Sequence, residues 1–175
     1  MMRRVLVLVA VMAGLAAAPV RAEVTVAGEG GFTVTEKFQT TAPPAKVWAV
    51  LVTPSRWWDG EHSWSGNSAN LSLEAKAGGC WCEVLPNGGS AQHMTVDFVE
   101  PGKTLRMRGA LGPLGSLAVT GIMGVVIAPD GSGSSVTLSY QVGGFTPVNL
   151  EALAPDVDAV LAAQLLRLKT VAEAP

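Results

Sequence analysis

PDVDAVLAAQLLRLKTVA, residues 155–172, is the stretch whose reading decides the fold. Val157, Val160, Leu161, Leu165, Leu168 and Val171 recur at steps of three and four, which lines them along one face of an amphipathic helix. The spacing predicts one long helix from Pro155 to Ala172. Pro155 suits a first-turn position, where its missing N–H is harmless. Asp156 and Asp158 then fall in the first turn, and Arg167 and Lys169 near the end, the arrangement the helix dipole favours. Such an apolar face needs a broad apolar surface to lie on, and residues 31–142 read as the sheet that supplies it.

Working back from the helix, Val136, Leu138, Tyr140 and Val142 alternate in a strand that closes a series of strands and turns. The preceding strands are read at Leu71–Ala75, Cys80–Leu85, Ala91–Val99, Lys103–Ala110 and Leu117–Ile127. Gly78-Gly79, Asn87-Gly88, Pro101-Gly102 and Asp130-Gly131 supply the backbone freedom or fixed φ that tight turns demand. Such short connections predict sequential antiparallel pairing. Ahead of them, Phe32 to Thr40 alternates as a first strand, with Glu36 as an irregularity on its apolar face. Thr41-Ala42-Pro43-Pro44 starts a short helix whose buried side carries Val47, Trp48 and Leu51. The expected architecture is α+β: an antiparallel sheet of about seven strands with the terminal helix laid across it. Glu23 to Gly30 reads as a loose leader.

At the N-terminus, Met1-Met2-Arg3-Arg4 precedes an apolar run from Val5 to Ala18, with small-residue cleavage sites after Ala18 and Ala22. That is the pattern of a secretory signal peptide over residues 1–22, and it is shorter than the roughly 20 apolar residues a spanning helix needs. The expected mature domain is 23–175, periplasmic or secreted, with no membrane span after cleavage. The formal charge of −2 becomes −5 without the three leader arginines, nine Lys plus Arg against fourteen Asp plus Glu. An acidic chain with no basic run argues against nucleic acid as a partner.

The order of elements, with Pro44-Ala45-Lys46-Val47-Trp48 after the first strand, resembles the START-like (SRPBCC) superfamily. Gly78-Gly79 before a strand, Val96-Asp97-Phe98-Val99-Glu100-Pro101-Gly102 and the closing Leu165-x-x-Leu168-Lys169 carry the same resemblance. Relatives of that kind include birch-pollen-allergen-like proteins, polyketide cyclases and dehydratases, and the domain of heat-shock-protein ATPase activators. The resemblance implies a helix-grip fold, a curved sheet gripping the terminal helix with an apolar cavity between them, and a hydrophobic small molecule as partner. A secreted chain departs from the cytosolic chaperone-activator members.

Three of the five tryptophans fall in Trp57-Trp58-Asp59-Gly60-Glu61-His62-Ser63-Trp64, a segment suited equally to a cavity mouth or a core plug. Face alternation and helix phase suggest a ligand lining of Trp48, Trp58, Trp64, Cys80, Cys82, Met107 and Leu161. Strand period places Cys80 and Cys82 on one face and Trp81 and Glu83 on the other. Two small buried thiols facing the cavity is the simplest reading of the cysteines. A disulfide between residues two apart requires the strand to bulge. A sharper reading groups Cys80 and Cys82 with His93, Met94, Met107 and Met123 as a copper(I) or redox site.

An enzyme of the cyclase or dehydratase kind would use His93 or His62 with Glu83 for acid–base chemistry, and Arg108 for an anion. Alternation instead turns Arg106 and Arg108 towards water. Gly112-Pro113-Leu114 has the composition of a flexible lip. No nucleophile elbow, His-Glu-x-x-His, phosphate loop or dinucleotide fingerprint is present, so no cofactor is expected.

Overall fold

The computed structural model describes residues 21–175. The expected signal peptide lies outside the described residues except for Arg21 and Ala22, which begin the first strand.

Eight strands form one antiparallel sheet. They are β1 (Arg21–Gly28), β2 (Gly31–Thr40), β3 (Leu71–Leu73), β4 (Cys80–Val84), β5 (Ser90–Glu100), β6 (Thr104–Arg108), β7 (Val119–Asp130) and β8 (Gly133–Gly144). The spatial order is β1-β2-β8-β7-β6-β5-β4-β3. The six strands β3 to β8 run as a meander, joined by short turns except between β6 and β7, where residues 109–118 form a longer loop with a 3-10 turn at Gly112–Ser116. Gly102 and Gly131 adopt φ of +78° and +58° at two of these turns, a conformation a side chain disfavours. The eighth strand corrects the sequence reading. Residues 23–30 are not a loose leader but most of β1 and its turn, paired with β2 from Arg21↔Lys37 to Gly28↔Gly31.

Helix α1 (Pro44–Leu51) follows β2, with Pro44 at its first position and Val47, Val50 and Leu51 buried. Helix α2 (Leu150–Glu173) packs across β1 and β2 and against α1. It starts five residues earlier than its apolar periodicity suggests. The Asn149 side chain accepts from the Glu151 N–H and caps it, so Pro155 lies inside the helix and Asp156 and Asp158 lie beyond its first turn. Inside a helix, Pro155 leaves the Glu151 carbonyl without its usual donor.

One face of the sheet and the inner face of α2 make the core. Phe32, Val34 and Phe38 of β2, Leu105 and Met107 of β6, and Val136, Leu138, Tyr140 and Val142 of β8 are all buried there. Leu161, Leu165 and Leu168 of α2 are each about 1 % exposed, worth roughly 1.5–3 kcal/mol apiece on burial. Glu36 and Gln164 are two of the polar residues buried in that interior. Glu36 is fully buried on β2, and its carboxyl oxygens meet no donor. Gln164 is fully buried on α2 within the leucine stripe.

A bridge of irregular chain, residues 52–70, carries the path from α1 to β3 in three short 3-10 turns, Pro54–Arg56, Gly60–His62 and Ser68–Asn70. It is stitched to both layers. The Trp57 indole donates to the Leu51 carbonyl at 3.2 Å and the Trp58 indole to the His62 carbonyl at 2.9 Å. Arg167 of α2 donates to the Trp57 carbonyl at 2.9 Å and pairs with Asp59 at 3.4 Å. No helix among the described residues is long and apolar enough to cross a membrane.

Candidate functional site: a cavity with two histidines

Under the centre of the sheet the interior is nearly filled. Trp57, Trp58 and Trp81 form an edge-to-face cluster, with Trp58 and Trp81 centroids 4.9 Å apart. The residual void bounded by these rings, Met107, Met123 and Leu165 holds about 10 Å³. The open space lies to one side, where a cavity of about 490 Å³ separates the first half of α2 from the 58–64 segment and the 111–114 loop. Trp58, Leu111, Leu114, Leu153, Val157 and Leu161 supply its apolar wall. His62, His93, Ser63, Glu61 and Asp156 are its polar groups.

A bulge aims His93 into this cavity. Trp81 of β4 pairs with Met94, and Cys82 with Gln92, so His93 is an extra residue on β5 with no opposite number. A bulge breaks the alternation and re-aims the side chain, so His93 joins Met94 on the inner side. Gly109 makes the space: a Cβ there would stand 2.3 Å from the His93 carbonyl oxygen and 2.9 Å from Met94 Cα. The Tyr140 hydroxyl holds the chain beyond it, donating to the Gly109 carbonyl at 3.2 Å and accepting from the Leu111 N–H at 3.1 Å. Burial pushes that phenol up to about 12, so it stays protonated as a donor.

Each histidine has a buried polar partner. His93 Nε2 lies 3.0 Å from Glu83 Oε2. Glu83, 1 % exposed, also accepts from the Trp64 N–H at 3.0 Å and the Ser65 N–H at 2.6 Å. Burial alone pushes the Glu83 carboxyl up, but the hydrogen bonds from Ser65, Trp64 and His93 outweigh it and hold the carboxyl below its ordinary range. His62 Nδ1 lies 3.2 Å from Gln164 Nε2, and Gln164 Oε1 accepts from the Asp59 N–H at 2.7 Å.

The sequence-derived lining is thus divided. Trp58, Trp64 and Leu161 stand on the cavity wall, with His62, His93 and the Gly112–Leu114 loop. Met107 borders the small void in the core instead. Trp48 is half-buried against the core from α1, away from the cavity. Cys80 and Cys82 require correction: Trp81 and Glu83 take the inner positions of β4, so the cysteines occupy the outer face. They are joined as a disulfide with Cα atoms 5.3 Å apart, not held as buried thiols.

That placement also separates the groups of the copper reading. Met94, Met107 and Met123 are buried on the inner face, the cysteines lie outside, and His93 is bound to Glu83. Among the described residues no three His, Cys, Asp or Glu side chains gather as a metal site. Arg106 is exposed, and Arg108 pairs with Asp97 at 2.9 Å on the surface. Sequence reasoning missed Gln164, although a lone amide in a leucine stripe was the available signal. It also missed Leu111, Leu153 and Asp156, which come to the cavity through loop and helix placement alone.

Comparison with known proteins places this geometry. The fold is similar to a putative uncharacterized protein from Rhizobium leguminosarum (TM-score 0.62, 15% identity, covering 89% of this chain and 99% of that one). It is also similar to CalU16 from Micromonospora echinospora (TM-score 0.56, 13% identity, 88% and 86% covered). The Aha1 dimer from Colwellia psychrerythraea aligns as well (TM-score 0.55, 17% identity, 81% and 96% covered). At these identities the likeness is one of fold. No curated protein sequence matches the chain. Residues 31–173 match the family described as polyketide cyclase / dehydrase and lipid transport, and the chain belongs to that SRPBCC family.

Proposed function

We propose that this protein binds a hydrophobic small molecule in the cavity between α2, the 58–64 segment and the 111–114 loop, and does so outside the cytoplasm after loss of residues 1–22. The observation that carries the reading is the cavity itself. Its volume of about 490 Å³ falls within the roughly 300–1,000 Å³ of small-molecule sites, and few polar groups interrupt an apolar wall. The family's lipid-transport members point to the same ligand chemistry. Because the tryptophan cluster fills the space under the sheet, the ligand occupies one end of the helix–sheet interface rather than its length. The basic start and short apolar run of residues 1–18 support export.

Native mass spectrometry of protein recovered from a periplasm tests this directly. The expected result is a co-purifying organic mass that is lost when Leu161→Trp fills the cavity. A bare mass in both proteins, with no change in tryptophan fluorescence on adding lipidic or polycyclic compounds, would sink the reading.

A further inference from the structure

The wall of the cavity is sorted by depth. Trp58, Leu114 and Leu161 are buried and form an apolar floor. Glu61, Trp64 and Asp156 are exposed and stand at the mouth. Glu61 and Trp64 belong to the 58–64 segment and Asp156 to α2, which places a carboxylate on each side of the opening. No positive charge answers them. Among the described residues no lysine or arginine lines the cavity, and neither Glu61 nor Asp156 pairs with a basic side chain. Arg167, which ties the 58–64 segment to α2, is taken by Asp59 and the Trp57 carbonyl. The two histidines do not change the sign. Gln164 Oε1 accepts from the Asp59 N–H, so its amide N–H₂ donates to His62 Nδ1; that nitrogen is an acceptor and the ring is neutral. His93 faces the Glu83 carboxylate, which offsets any proton the ring gains. An apolar interior is therefore ringed by net negative charge.

From this arrangement we infer that the cavity selects a hydrophobic cation, a compound that carries a positively charged nitrogen on an apolar body. This rests on the cavity reading above and adds the charge class of the ligand to it. The body lies on Trp58, Leu114 and Leu161, where removal of apolar surface from water drives binding. The charged head stays at the mouth, partly in water, and so escapes the desolvation cost of a buried charge. There it lies between the Glu61 and Asp156 carboxylates. The Trp64 ring, 58 % exposed, offers the head its negative face. An anionic head of the same size meets two carboxylates and no counter-charge. Each carboxylate within about 4–6 Å of the head is worth about a three- to fivefold preference in a water-like dielectric. Together the two give about tenfold or more.

The test compares probes of one chain length and different head charge: decylamine, decan-1-ol and decanoate. Each is titrated at neutral pH, below its micelle-forming concentration, with tryptophan fluorescence as the readout. Decylamine is expected to bind about tenfold or more tighter than decan-1-ol, and decanoate more weakly than either. Both gaps should narrow as salt rises, because the mouth is open to solvent. Glu61→Gln combined with Asp156→Asn, two surface changes that leave the core intact, should erase most of the gap between amine and alcohol. Decan-1-ol binding as tightly as decylamine, decanoate binding best, or a preference for the amine that survives the double variant overturns the inference and leaves the cavity reading standing. If none of the probes binds, or all bind Leu161→Trp as well as the unmutated protein, the cavity reading falls and the charge assignment falls with it.

Discussion

Replacing Glu36 with glutamine should make this protein more stable, and increasingly so as pH rises. Glu36 is fully buried on β2, and neither oxygen meets a donor. Burial first, and then the Asp158 carboxylate across the interface on α2, raise its pKa to about 8 from an ordinary 4.5. The neutral acid is the form the fold accepts, and it can share its proton with Asp158. In the unfolded chain the same group ionises near 4.5. Between those two values the folded state holds a proton that the unfolded state has released, so stability is full below 4.5 and falls as pH rises, until the decline ends above about 8. Taking those two pKa values, the linked loss between pH 5 and pH 9 is about 4 kcal/mol. Against a typical total of about 5–15 kcal/mol, that is large. Glu36→Gln keeps the shape and removes the titration. Urea unfolding followed by tryptophan fluorescence at pH 5, 7 and 9 reads the difference. The variant's advantage should grow by about 3–4 kcal/mol across that range. Parallel pH dependences for the two proteins would refute the claim that Glu36 is held protonated between sheet and helix.

Two further perturbations separate the site from its scaffold. Gly109→Ala places a methyl 2.3 Å from the His93 carbonyl oxygen. It should cost about 1–3 kcal/mol in urea unfolding and weaken ligand binding, because it presses on the bulge that aims His93. Replacing both Cys80 and Cys82 with serine opens a very short loop on the outer face, so the expected loss of stability is below about 2 kcal/mol. Ligand binding, measured by fluorescence titration, should be unchanged.

Much of the scaffold was legible because its signals are local. The helix stripe from Val157 to Val171, the alternation in residues 136–142 and the Gly and Pro turns each state a period or a φ that neighbouring residues enforce. The errors have physical causes too. β1 was passed over because residues 21–28 earn strand status only by pairing with β2. The start of α2 was misplaced because Pro155 reads as a first-turn signal, whereas Asn149 makes the cap.

For the cavity, sequence alone determined the ingredients: a tryptophan-rich segment, His62 and His93 as candidate bases, Glu83 opposite the cysteines on its strand, and an amphipathic helix to close the interior. Only the tertiary structure decided how they meet. The extra residue at position 93 reverses the face that simple alternation assigns, and it is an extra residue only relative to the β4 partner strand. Glu83 and Gln164 orient His93 and His62 from 10 and 102 positions away in the chain. Strand and helix periods are properties of consecutive residues, while a bulge, a shared cavity and a tautomer depend on which distant group lies opposite, and that is settled only when the sheet and helix close on one another.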